Sequence, residues 1–264
     1  MIAVIRTGEP ACLTQNGAQW IHELCNERVT YYQQMMQHAV TPLPVPPKKP
    51  RAKSNRYAHD EIKMALGEMF GDKCCYCEAS IEHVSPRHVE HFRPASIYPA
   101  LAYKWDNLLY ACFKCNSIYK KDKFPLAPSE QTPTEDTINP GSRVETDLAL
   151  LINPCLENPE HYLKFEDGNI VAKNNPAIGA PYRKGELTIS VCGLDRPNLT
   201  RHRRRFLENI ELRIETYELS IIIGDATKIH KHGGKLREHC QPKEEYAGMV
   251  RAELLKHHID WRTL

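Results

Sequence analysis

Two Cys-x-x-Cys pairs constrain this chain more than any other feature: Cys74-Cys75-Tyr76-Cys77 and Cys112-Phe113-Lys114-Cys115. Each pair presents two thiolates from one tight turn, and two such turns supply the four soft ligands of a closed tetrahedral zinc site. A closed shell leaves no open position, so Cys74, Cys77, Cys112 and Cys115 are expected to hold a zinc ion that shapes the fold without reacting. Cys75 sits inside the first pair and could exchange as a ligand, although Cys74 and Cys77 have the standard spacing. Without metal these would be four buried thiols, a reading that two matched pairs in one chain disfavour. The 34 residues between Cys77 and Cys112 exceed the gap of a simple zinc ribbon, so a piece with its own structure is expected there.

That inserted piece has an order of its own. Val89-Glu90-His91-Phe92-Arg93-Pro94 reads as a short strand stopped by proline. Trp105, Asn107 and Leu108-Leu109-Tyr110-Ala111 follow, and Asn116 to Lys120 reads as the start of a helix just past the second pair. This succession resembles the HNH nuclease family, in the variant that ends in Asn instead of a last His. The resemblance implies an α+β, mainly helical chain with a ββα-metal core, a structural four-cysteine zinc site, and flanking N- and C-terminal helices.

It also implies roles. His91 would be the general base, since an imidazole can take a proton from water near neutral pH. Asn107 would orient that base. Glu90 and Asn116 are hard oxygen donors suited to Mg²⁺ or Mn²⁺, which would polarise the scissile phosphate. Lys120 would contact phosphate or pair with a charge near the site. Glu90 stands where many relatives have Asp. Strand alternation puts residues 88 and 90 on one face and 91 on the other, which separates Glu90 from His91 unless the strand ends or bulges there.

The rest of the chain frames this stretch. Residues 14–38 read as a helix with Trp20, Ile21, Leu24 and Val29 on its apolar side and Thr14 or Asn16 as cap. The proline-rich run 41–50 forbids regular structure and reads as an extended linker. Its basic tail, Lys48, Lys49, Arg51, Lys53 and Arg56, is either solvated or an arm laid along a nucleic-acid backbone. A second helix is expected over 57–70, ended by Gly71. The polar stretch from 127 to 146 reads as a surface loop. Tyr162–Phe165, Asp167-Gly168 and Ile170–Ala172 form a β-hairpin pattern.

A long helix begins near Pro197 and runs to about Ile223, with Phe206, Ile210, Ile214 and Tyr217 as its core stripe. Arg201, Arg203, Arg204 and Arg205 crowd its start, where cations are unfavourable unless an anion is near; phosphate contact is the functional reading and a solvated face the plain one. Residues 224–242, with His230, His232 and His239, read as a loop without metal spacing, and 243–260 as a closing helix. Three parts are expected: 1–56, helix and basic linker; 57–126, the nuclease core; 127–264, a hairpin and helical region packed on it.

The formal net charge is only +2, so no global basic field demands nucleic acid and any such contact must be local. Ten cysteines, four of them in the knuckles, suit a reducing compartment with metal use. No signal-peptide pattern and no membrane-length apolar run are seen, so a cytoplasmic chain without membrane partners is expected.

Beyond the core, Leu151-Ile152-Asn153-Pro154, Thr188-Ile189 and Leu194-Asp195-Arg196-Pro197 with the Arg-rich helix resemble the HNH effectors of Septu and retron anti-phage systems, the PtuB type. That resemblance implies a PtuA-type ATPase as controlling partner, a nucleic-acid substrate (DNA first, RNA or tRNA second) and, in the retron setting, a reverse transcriptase with its RNA and DNA. The alternative is a zinc-stabilised module that binds nucleic acid or protein with its catalytic residues idle.

Overall fold

The computed structural model describes residues 1–41, 44–81, 88–127, 149–173 and 182–264. The stretch expected as a surface loop lies, from residue 128 to 148, outside the described residues, as do Pro42 and Leu43 of the linker.

Helix α1 spans Ala11–Val40 and starts after Pro10 instead of at Thr14 or Asn16. Cys12, Leu13, Gly17, Leu24 and Arg28 form its buried stripe, whereas Val29 is 56% exposed and lies off it. The chain then runs without regular structure to the short helix α2, Ser54–Tyr57. Helix α3, Asp60–Phe70, buries Ile62, Leu66, Met69 and Phe70 and ends on Gly71 at φ 62°, a left-handed cap that glycine adopts without strain. It packs on the central strands and delivers the chain to the first cysteine pair.

Strands β1 (His88–His91) and β2 (Leu108–Ala111) pair antiparallel, with His88 opposite Ala111 and His91 opposite Leu108. The second cysteine pair follows β2 directly and opens a short π-type helix, Lys114–Lys120. These three elements are the expected ββα core.

Strands β3 (Leu163–Glu166) and β4 (Asn169–Ala172) form the expected hairpin. Asp167 and Gly168 both take positive φ, 49° and 76°, as a two-residue hairpin turn requires. Helix α4, Tyr182–Cys192, packs against the Lys114–Lys120 helix. Ile152 donates its N–H to the Thr188 hydroxyl at 3.1 Å, joining two of the motifs read from sequence.

Helix α5, Pro197–Ile223, begins on a first-turn proline and buries Leu199, Arg203, Leu207, Ile210 and Ile214. Residues 226–239 correct a sequence expectation, because Ala226–His239 is a helix, α6, and not a loop. Asp225 caps it by accepting the Lys228 N–H at 3.1 Å, and Leu236 is fully buried. Gly233, which reads as a breaker, is a packing glycine: a Cβ there would lie 3.1 Å from the Tyr217 ring of α5. Helix α7, Ala247–Lys256, is shorter than the expected 243–260.

One continuous hydrophobic cluster draws on all parts of the chain, from Leu13 and Leu24 through Ile62 and Leu109 to Ile210 and Leu254. Among the described residues no helix is long and apolar enough to cross a membrane.

Candidate functional site

The four knuckle sulfurs converge. The Sγ atoms of Cys74, Cys77, Cys112 and Cys115 all lie within 4.8 Å of one another, and Cys77 and Cys112 are 3.9 Å apart. Zn–S bonds of about 2.3 Å in a tetrahedron place sulfurs about 3.8 Å apart, so the donor set fits a structural zinc ion. Cys75 lies outside the quartet; its N–H donates to Tyr110 O at 2.8 Å and ties the knuckle to β2. Arg196, from the Leu194–Pro197 motif, donates to Cys115 Sγ at 3.4 Å and brings a cation beside thiolate charge.

His91 closes β1, so the alternation that would separate it from Glu90 stops at that residue. Its Nε2 lies 2.8 Å from the Ala102 carbonyl oxygen. A carbonyl only accepts, so Nε2 carries the hydrogen and Nδ1 is left as the basic nitrogen. Burial pulls the ring's pKa down to about 4, with the Ala102 bond opposing and Lys120 adding to the drop, so the imidazole is neutral near neutral pH. The ring of Tyr57 meets the His91 ring edge-on, centroids 4.6 Å apart.

Asn107 is buried, and its side-chain hydrogen bonds go to backbone. Its Oδ1 accepts the Arg93 N–H at 2.8 Å, and its Nδ2 donates to Arg93 O at 3.0 Å and Leu101 O at 3.1 Å. It clamps the segment between Arg93 and Leu101, next to the Ala102 carbonyl that meets His91. Asn116 donates from Nδ2 to Val89 O at 3.4 Å, which aligns it with β1 and leaves Oδ1 as its donor atom for a cation.

Glu90 is held tightly. Its Oε1 lies 2.6 Å from Lys120 Nζ and accepts from the Tyr76 hydroxyl at 3.2 Å. Burial pushes its carboxyl up, and Lys120 opposes that shift. Lys120 is fully buried and also donates to His91 O at 3.0 Å. Of the two expectations for Lys120, the geometry matches the charge pair: the side chain is the counter-ion of Glu90 and does not reach the surface.

Glu90, His91 and Asn116 line one cleft of about 1300 Å³. Across it stand Lys48, Lys49 and Arg51 of the proline-rich arm, with Lys121 beyond the short helix. Lys53 and Arg56 do not line it. Lys53 pairs with Glu27 at 3.3 Å and Arg56 with Glu23 at 2.6 Å, which fastens the arm to α1. Both side chains thus have carboxylate partners on α1 and lie outside the cleft lining.

At the Arg-rich start of α5 the phosphate reading is corrected for Arg203. Arg203 is fully buried, donating to Leu194 O at 2.7 Å and Cys77 O at 3.4 Å between the rings of Phe165 and Tyr246. Arg204 holds the hairpin through Asp167 O and Asn169 Oδ1. Arg201 and Arg205 are exposed, and none of the four lines the cleft. Helical spacing carried the missed signal, because Arg203 sits four residues from both Leu199 and Leu207, inside the apolar stripe.

A second potential ligand group, Cys12, His59 and Glu61, is explained by helix capping. Cys12 N–H donates to Glu61 Oε2 at 3.0 Å, and Glu61 N–H donates to His59 Nδ1 at 3.3 Å. Among the described residues, His230, His232 and His239 form no metal-ligating group.

A strand pair and short helix, closed by a four-sulfur knuckle and presenting a histidine at the end of the first strand, define an HNH endonuclease domain, and residues 74–122 match that family. Around that domain the chain is similar to two proteins named Septu protein PtuB. It is 34% identical over 170 residues to the one from Bacillus mycoides (strain KBAB4), covering 60% of this chain and 54% of that protein. It is 28% identical over 204 residues to the one from Bacillus thuringiensis, covering 73% of this chain and 68% of that protein. The chain thus spans about half the length of the first of these relatives. The HNH match rests on residues 74–122, and the wider chain is similar to these PtuB proteins.

Proposed function

We propose that this chain is a metal-dependent nuclease that hydrolyses phosphodiester bonds, with DNA as the favoured substrate and RNA as the second. The observation that carries this reading is the single cleft shared by His91, Glu90 and Asn116 and walled by a basic arm. His91 Nδ1 takes a proton from a water molecule. The water oxygen bonds to phosphorus as the bond from phosphorus to the 3′ oxygen breaks, and that oxygen is protonated from solvent. Glu90 Oε2 and Asn116 Oδ1 would hold Mg²⁺ or Mn²⁺. When bound, that cation supplies charge neutralisation at the phosphate and at the departing oxygen. Lys48, Lys49 and Arg51 would receive neighbouring phosphates. On this reading 57–126 is the catalytic core, 1–56 supplies a wall of the cleft, and 127–264 backs the zinc knuckle.

The similarity to Septu proteins supports a role in anti-phage defence, controlled by a PtuA-type ATPase, and favours a Septu setting over a retron one. The test is incubation of plasmid and total RNA with the protein, with and without that ATPase, in Mg²⁺ or Mn²⁺. Cutting that disappears in His91→Ala while zinc content persists supports the proposal. A parent that cuts neither substrate under any of these conditions sinks it. The Glu90–Lys120 pair is what favours the alternative of a zinc-stabilised binding module, since it occupies one carboxylate oxygen of the metal ligand. That reading is the one left standing if the parent binds nucleic acid without cutting it.

A further inference from the structure

The HNH match begins at residue 74, yet one side chain touching the base histidine comes from before it. Tyr57 ends helix α2, and its ring meets that of His91 with centroids 4.6 Å apart and planes at 69°. Both residues line the cleft. Among the described residues the imidazole has one hydrogen bond, from Nε2 to Ala102 O, and that bond fixes where Nε2 points but tolerates a broad tilt of the ring plane. An edge-to-face contact with a fixed aromatic removes that tilt, and with it the swing of Nδ1.

The short helix that carries Tyr57 is anchored by its neighbours Lys53 and Arg56. Lys53 N–H donates to the Tyr103 hydroxyl at 2.7 Å. Arg56 pairs with Glu23 at 2.6 Å and lies over the Trp20 ring at 5.5 Å. Trp20 in turn meets Tyr103 edge-on at 5.7 Å. Helix α1 is thereby tied to the short helix α2, whose last residue meets the His91 ring.

We propose that Tyr57 is a positioning residue for His91, so that the active site extends beyond the HNH stretch into the segment before it. This rests on the nuclease reading above. The ring does the positioning, through its edge, and the hydroxyl is dispensable for it. Displacing a reacting nitrogen by about 1 Å can cost about a hundredfold in rate.

The experiment compares Tyr57→Phe and Tyr57→Leu in the full chain, with the ATPase present if the parent needs it. Tyr57→Phe is expected to keep kcat within about threefold of the parent, because the ring remains. Tyr57→Leu is expected to lower kcat by about tenfold to a hundredfold, with KM for an oligonucleotide and zinc content unchanged. Tyr57→Met, which fills more of the space, replaces Tyr57→Leu if the latter loses its cooperative melt. A leucine or methionine variant that cuts at the parental rate overturns the inference. So does a phenylalanine variant as impaired as the leucine one, which would assign the work to the hydroxyl, and so does a loss confined to KM. A parent that does not cut overturns the nuclease reading and takes this inference with it, an outcome separate from the others.

Discussion

Lys120 Nζ lies 2.6 Å from Glu90 Oε1, with the lysine side chain fully buried and the carboxylate 3% exposed. A buried pair of this kind depends on both members, because removing one strands the other charge away from water. Lys120→Met is therefore expected to destabilise the fold by about 3–5 kcal/mol. Urea unfolding measures it. A lysine that merely touched phosphate would leave the midpoint unchanged and raise KM, and that result would refute the assignment.

The His91 ring sets a pH dependence. Burial, against the Ala102 bond, lowers its pKa to about 4 in the folded chain, while in the unfolded chain the ring titrates near about 6.5. Between these values the unfolded state binds the extra proton, so this group withdraws stability as pH falls from about 6.5 toward 4. The same shift keeps Nδ1 free at pH 5.5, where an ordinary histidine is about nine-tenths protonated. The acid limb of the pH–rate profile is expected below pH 6, and His91→Ala is expected to cost about 10²–10⁴-fold in kcat. An acid limb centred near 6.5 would contradict the buried-base geometry.

Zinc loss should separate the knuckle cysteines from their neighbour. Cys112→Ser or Cys115→Ser removes one of four converging sulfurs and is expected to abolish stoichiometric zinc and collapse the thermal melt. Cys75→Ser leaves the quartet intact and should keep a full zinc equivalent by metal analysis. Equal zinc loss in all three variants would move Cys75 into the ligand set.

Two left-handed glycines should respond differently to alanine. Gly193 has φ 59°, and a Cβ there would lie 2.2 Å from Tyr119 Cδ1. Gly224 has φ 74° with nothing within 4 Å of the added carbon. Gly224→Ala carries only the backbone strain, about 1 kcal/mol, whereas Gly193→Ala adds displacement of the Tyr119 ring and is expected to cost about 3 kcal/mol or more. Thermal melts of the two variants check the order.

The basic arm predicts a salt signature. With Lys48, Lys49 and Arg51 changed together to Ala, the slope of log affinity against log salt should fall by about 2–3, one counterion per lost phosphate contact. Arg201→Ala with Arg205→Ala should leave that slope unchanged, because neither lines the cleft. The reverse pattern would return the substrate path to α5.

Much of the core was readable because its signals are local. The spacing of Cys74, Cys77, Cys112 and Cys115 sets a sulfur quartet, and the order of Glu90, His91, Asn107 and Asn116 marks the ββα pattern around it. The α6 helix was not readable, because Gly233 and Gly234 argue for a loop until the Tyr217 ring is known to lie against the first of them. The partners of Lys53, Arg56 and Arg203 were not readable, because a cation in a sequence does not say which carboxylate or carbonyl it will meet.

By itself the order of residues determined the cysteine quartet and the run of elements around it, since metal-binding turns, strand breaks and helix caps are written over a few consecutive positions. Only the tertiary structure decided which cations face the cleft, which nitrogen of His91 stays basic, and that Tyr57 abuts that ring. Those outcomes depend on burial and on partners distant in the chain, such as Ala102 for His91 and Glu23 for Arg56, and long-range contacts of this kind leave no periodic trace in the sequence.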